Sequence, residues 1–222
     1  MKPFQLFQKY SAIRLVASTF GILVGLAGVE HGIFEILQGN VKPEGLLIDA
    51  IGPNQRFWEY SSETALTIIP NMLISGILAV IFGMVISIWA AYFINRPYGA
   101  RVFMFLSIIL WLVGGGFAPL FMAIFAFIAA TRLDRPLNWW HTHLPDRLKR
   151  LLAILWPWSI IVYVVAFVFG VEIAIFGYPL LWFFSAENTY SIQWALAYIM
   201  VVLWPLSILT AISFDIKTQE LR

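Results

Sequence analysis

Glu30-His31-Gly32-Ile33-Phe34-Glu35 places two carboxylates and an imidazole within six residues, at the end of a run that is otherwise apolar back to Ala12. His31 and Glu35 are four residues apart and share one helix face. Such a pair can relay protons, because histidine titrates near neutral pH and a carboxylate desolvated beside others holds its proton more tightly. It could also ligate Zn2+, Mn2+ or Fe2+ with further oxygen donors, so a divalent metal is the one cofactor worth considering. Further along, Glu63, Thr67, Asn71 and Ser75 recur at intervals of four, and Glu172 stands alone in Phe169-Gly170-Val171-Glu172-Ile173-Ala174. Gly114-Gly115-Gly116-Phe117-Ala118-Pro119 interrupts an apolar run that extends from 102 to 131.

Each of these has a plainer reading. Glu30 and Glu63 fit solvated boundary residues, His31 and Glu35 a capping ion pair, the four-residue stripe interhelical hydrogen bonds, and the triple glycine a tight turn. His141 and His143 read as interfacial loop residues rather than ligands. The functional reading is that ionisable groups inside a membrane mark ion, proton or substrate sites.

The elements that must position them are membrane helices. The chain is 61% hydrophobic and 12% charged over 222 residues, which excludes a soluble globule and makes the lipid bilayer its first partner. The apolar runs are continuous rather than alternating, so the fold class is all-α, a polytopic helical membrane protein. With no cysteine, thiolate metal sites, disulfides and a cysteine nucleophile are excluded. Phosphate-binding loops, nucleotide fingerprints and Ser-His-Asp arrangements are absent too. The basic residues fall in loops where topology explains them, so nucleic acid is not a partner.

One transmembrane domain, 1–222, is expected, with spans at about 12–38, 64–95, 151–176 and 191–213 and a hairpin at 102–131. The basic N-terminus leads into a long run without a small-residue cleavage site, which reads as a retained span. In that first span Ser18, Gly21, Gly25, Gly28 and Gly32 recur every three or four residues, a face built for close helix packing. The 102–131 run would make about 45 Å of helix, too long for one crossing. If it enters and returns on one side, all of the 14 Lys and Arg except Lys42 and Arg56 lie on the same side of the membrane. The positive-inside rule therefore selects the hairpin, in a bacterial-type inner membrane with both termini cytoplasmic. The triple glycine would then sit deep in the membrane, with Gly114, Gly115, Gly116 and Pro119 as gate or hinge. Trp139, Trp140, Trp156 and Trp158 read as an aromatic belt at the inner surface, and Trp204-Pro205 as a kink.

This topology brings the acids to one level. Glu30 lies about 27 Å up the first span and Glu172 about 31 Å up the fourth, where Glu63 opens the second. No Lys or Arg lies in a span to neutralise them.

Two resemblances arise at these residues. Glu30-His31-Gly32-x-x-Glu35, Ile69-Pro70-Asn71 and Gly114-Gly115-Gly116-Phe117-x-Pro119 together resemble an uncharacterised group of bacterial multi-span membrane proteins, over about the first 135 residues. Separately, His31-x-x-x-Glu35, Glu63-Thr64 and Trp204 are similar in order to the His, Glu, Glu and Trp positions of EXPERA-type sterol isomerases. That second resemblance covers a handful of residues and implies a five-helix enzyme that shifts a double bond with a protonated acid pair. The central hairpin and the basic loop depart from it.

The first functional expectation is a small transporter or channel for a proton or cation. Its outer site would be Glu30, His31, Glu35, Glu63 and Glu172, continued inward by Thr67, Asn71 and Ser75. The rival is a membrane-embedded enzyme using Glu and His acid–base chemistry on a lipid or isoprenoid. A third is an accessory subunit of a larger membrane complex, and a homo-oligomer is also compatible. An apolar, tryptophan-lined cavity would favour the enzyme, and a water-lined funnel the transporter.

Overall fold

A computed structural model describes residues 11–133 and 135–220, so Lys2, Lys9 and Arg222, which the charge argument used, lie outside the described residues. The fold is all-α. Four helices are long and apolar enough to cross a membrane: α1 (Ala12–Gln38), α2 (Met72–Tyr92), α6 (Asp146–Phe176) and α7 (Ala186–Glu220). Between α2 and α6 lie α3 (Gly99–Leu112), α4 (Phe117–Ala130) and a surface turn of helix, α5 (Asn138–His143).

The small-residue face of α1 does what its spacing predicts. Gly25 abuts the Gly83 carbonyl of α2 and Gly32 that of Gly76, so the antiparallel backbones touch two turns apart. A methyl at Gly32 would come within 2.6 Å of the Gly76 oxygen, and one at Gly76 within 2.5 Å of the Gly32 oxygen. Gly21 meets both Ala90 of α2 and Phe103 of α3, and Gly28 faces Leu110 of α3. The glycine stripe thus seats α1 at the centre of the bundle, against α2 on one side and the α3–α4 hairpin on the other.

The hairpin is real. Its two feet, 94–101 and 130–135, line one cavity and so emerge at the same end of the bundle. At 14 residues each, its arms span about 21 Å. The tip is not a free gate at mid-membrane, as the sequence suggested. It is hydrogen-bonded to the loop following α1: Gly114 N–H donates to the Leu66 carbonyl and Ile68 N–H to the Leu112 carbonyl, both at 2.9 Å.

That loop also corrects the second span. Residues 64–66 form a strand, β2, paired antiparallel with β1 (Leu47–Asp49), and α2 begins only at Met72. Asn71 is its N-cap, accepting from Ile74 N–H, and Pro70 precedes the cap. A proline followed by asparagine is a helix-start signal, and here it outweighs the four-residue spacing. Glu63, Thr67, Asn71 and Ser75 are therefore not one helical stripe.

α6 and α7 pair along their length, with Ser159 and Thr210 hydroxyls 2.9 Å apart across the seam. Trp156 is fully buried and so leaves the expected belt, whereas Trp139 and Trp158 are exposed as a belt requires. At the end shared by the termini, Asp215 of α7 caps α1, accepting from Ser11 Oγ at 2.6 Å, Ala12 N–H at 2.7 Å and Ile13 N–H at 3.1 Å. Asp215→Ala would leave two buried first-turn amides without an acceptor. It is expected to cost about 2–4 kcal/mol of stability, with Asp215→Asn about half of that, read from thermal unfolding in detergent.

Candidate functional site

His31, the turn-one neighbour of the glycine face, is 3% exposed and lies between two carboxylates. Its Nδ1 is 3.0 Å from the Ala27 carbonyl and 2.9 Å from Glu30 Oε2, and its Nε2 is 3.6 Å from Glu63 Oε2. Both partners of Nδ1 are acceptors, so the hydrogen-bond pattern assigns a proton there. The remaining edge, Nε2 against Glu63, brings two acceptors together unless one of them carries a proton. At 3.6 Å the two are in ion-pair range rather than hydrogen-bonded, so a proton on either one makes the contact favourable.

Glu63 is carried into place by its loop rather than by a helix. Asp49 Oδ1 accepts its N–H and its own carbonyl accepts from Ala50 N–H, at 2.9 and 2.8 Å. Asp49 is itself tied down by Arg56 and Ser62. Burial pushes the Glu63 carboxyl up to about 7; His31 opposes this, while Glu30 and Asp49 add to it. An acid that binds its proton more tightly when folded stabilises the fold below its unfolded value, here 4.5, and loses that contribution as pH rises through about 7. Thermal stability in detergent is therefore expected to fall between those two values. Glu63→Gln should flatten the slope.

Glu35 sits one turn beyond His31, 0% exposed, and neither carboxylate oxygen has a hydrogen-bond partner. What it faces is the triple glycine. A methyl at Gly114 would fall 2.0 Å from Glu35 Oε1, and one at Gly116 2.3 Å from His31 Nε2. Both glycines have positive φ, +102° and +80°. The two motifs that stood out in the sequence are one structure: the hairpin breaks where it must make room for the His31 and Glu35 head groups.

A cavity of about 360 Å3 opens from this cluster between α1, α4, α6 and α7. Glu30, His31 and Glu63 form its polar end, with Ser62 and Thr64 at the loop surface. The body is apolar and aromatic, including Phe117, Phe167, Trp194 and Met200. Trp204 and Tyr163 close the floor, the indole N–H donating to the tyrosine oxygen at 3.0 Å. Trp194 is 49% exposed, so one wall of the cavity is also lipid-facing surface. Two buried acceptors here lack partners, Glu30 Oε1 and Gln193 Oε1.

Of the expected site residues, the structure brings together Glu30, His31, Glu35 and Glu63, with Gly114, Gly116 and Pro119 against them. Gly115 packs on Leu110. Glu172 is exposed on α6 and outside the cavity lining. Thr67 and Ser75 bond each other at 2.7 Å and Ser75 donates to the Val113 carbonyl, while Asn71 pairs with Asn40. These three build the junction of loop, α2 and hairpin tip rather than a path inward. Among the described residues no three His, Cys, Asp or Glu side chains are grouped to hold a metal ion. His141 pairs with Glu220 and His143 stacks on Trp139, both at the surface. Gln193 was missed, although it is the one large polar side chain in the 191–213 run. No family model, curated protein or solved structure matches this chain.

Proposed function

We propose that this membrane protein binds a largely apolar molecule in the α1–α4–α6–α7 cavity and moves protons at its polar end. The class of reaction that fits is acid–base isomerisation of a lipid or isoprenoid. The observation that carries this reading is the contact of His31 with Glu63 at the polar end of an aromatic cavity of about 360 Å3. That volume lies at the small end of the roughly 300–1,000 Å3 usual for ligand sites. The unpartnered oxygens of Glu30 and Gln193 call for a donor on the ligand, a hydroxyl above all.

In such a reaction one member of the pair delivers its proton to the substrate, and a carboxylate takes another from a neighbouring atom. The bonds balance without a co-reactant. A Glu63 acid poised near neutrality suits either role. The sterol-isomerase resemblance is consistent with this, since His31, Glu63 and Trp204 all line the cavity and Glu35 lies behind it. The 39–71 loop would face outward, with both termini inside.

Cavity occupancy is testable without knowing the ligand. Gly170 faces Met200 across the cavity, and Gly170→Leu with Ala197→Phe would fill it. Wild-type protein purified from membranes should carry an apolar molecule, detected by native mass spectrometry, that the filled variant lacks. Equal retention by both would overturn the assignment.

Proton transport stays as a second reading because Glu35, fully buried with both oxygens unpartnered, sits behind the His31–Glu63 layer. Proton flux into liposomes that vanishes in Glu35→Gln would favour it over the enzyme.

A further inference from the structure

At the opposite end of the bundle, the two feet of the hairpin enclose a second cavity of about 500 Å3, lined by Arg96, Arg101 and Arg135 together with Asn95, Ile94 and Leu133. Among the described residues no carboxylate lies within ion-pair distance of any of the three arginines; Arg101 has only the Tyr98 ring, 5.5 Å away. Three arginines line one hollow, and an anion bound there would offset their like charge. No side chain caps the first turn of α3, which begins at Gly99 on the cavity wall. Its amides add partial positive charge to the hollow.

The surroundings identify the source of the anion. The cavity lies where the membrane helices end, and Tyr92, Phe93, Tyr98 and Phe105 present exposed apolar surface beside it. A phosphate seated among the arginines would therefore have room for acyl chains against those rings. Asn95 Oδ1, buried and without a partner, offers an acceptor to a headgroup hydroxyl. We infer that the hairpin feet form a binding site for the headgroup of an anionic phospholipid of the phosphatidylglycerol type. It is independent of the acidic cavity and does not rest on the function proposed for it. Arginine suits the role because its fork binds phosphate oxygens in pairs and keeps its charge at an interface.

Native mass spectrometry of the detergent-purified protein, titrated with phosphatidylglycerol, phosphatidylcholine or inorganic phosphate, tests this. Phosphatidylglycerol should bind at least tenfold more tightly than phosphatidylcholine, with the preference shrinking as salt rises. Arg96→Gln, Arg101→Gln and Arg135→Gln should each lower it about fivefold, and the triple variant should abolish it. Glu63→Gln, at the other end, should leave it unchanged. Equal binding of the two lipids by wild type, or a triple variant that keeps the preference, would overturn the inference. So would saturation by inorganic phosphate that displaces the lipid, which would mark a free-phosphate site. Should the triple variant fail to fold, Arg135→Gln alone, at an exposed turn, and the salt dependence of the wild type decide the matter.

Discussion

Gly114→Ala is expected to destabilise the bundle by about 3 kcal/mol or more, and about 1 kcal/mol or more of that loss should disappear when Glu35 is also replaced by alanine. The backbone at Gly114, with φ of +102°, is closed to side chains at a cost of about 1–3 kcal/mol. The added methyl would also overlap Glu35 Oε1, 2.0 Å from its position. The carboxylate cannot swing aside, because Glu35 is 0% exposed and its own Cβ lies 2.9 Å from where Gly76 would carry one. Nor can the turn retreat, since Gly114 N–H is bonded to Leu66. Glu35→Ala removes the overlap and the orphaned oxygens together, leaving only the backbone strain. A double-mutant cycle by thermal unfolding in detergent should therefore show coupling above about 1 kcal/mol. Additive losses would mean that the glycines serve chain reversal alone.

The largest effect on chemistry is expected where His31 meets Glu63. His31→Gln and Glu63→Gln each remove one partner of the Nε2–Glu63 contact, and each should lower proton transfer to the bound molecule by about 10²–10⁴-fold. Glu30→Gln should cost far less, about tenfold, because Nδ1 keeps its bond to the Ala27 carbonyl and so its proton. Glu63→Gln preserves shape and hydrogen-bonding capacity. A large loss there with unchanged ligand occupancy would separate chemistry from binding. A Glu30→Gln loss as large as that of His31→Gln would contradict the assigned proton positions.

Much of the scaffold was legible because long apolar helices announce themselves by run length. The α1 glycine face predicted close packing, and Gly25 and Gly32 meet Gly83 and Gly76. Weighing charge at 102–131 selected the hairpin whose feet meet at one end. Position along the helices was legible enough to put His31 and Glu63 at one end of the bundle, and their side chains come within 3.6 Å. Azimuth was not: Glu172 turns outward on α6, because position along a helix fixes no direction around its axis. The stripe from Glu63 to Ser75 failed for another reason. Four-residue spacing mimics a helix, whereas Pro70-Asn71 starts one, and residues 64–66 find strand partners in β1 that lie far away in sequence. The pairing of Gly114 and Gly116 with Glu35 and His31 is a tertiary fact, written in both motifs but in neither alone.

The central claim is that this cavity moves protons at an apolar substrate, and solvent deuterium tests it most directly. Protein in nanodiscs, incubated in D2O with a membrane lipid extract of the expression host, should place deuterium on carbon in one apolar component. His31→Gln and Glu63→Gln should reduce that incorporation by at least about a hundredfold. Absence of carbon-bound deuterium with the wild type, or incorporation that persists in both variants, would contradict the account.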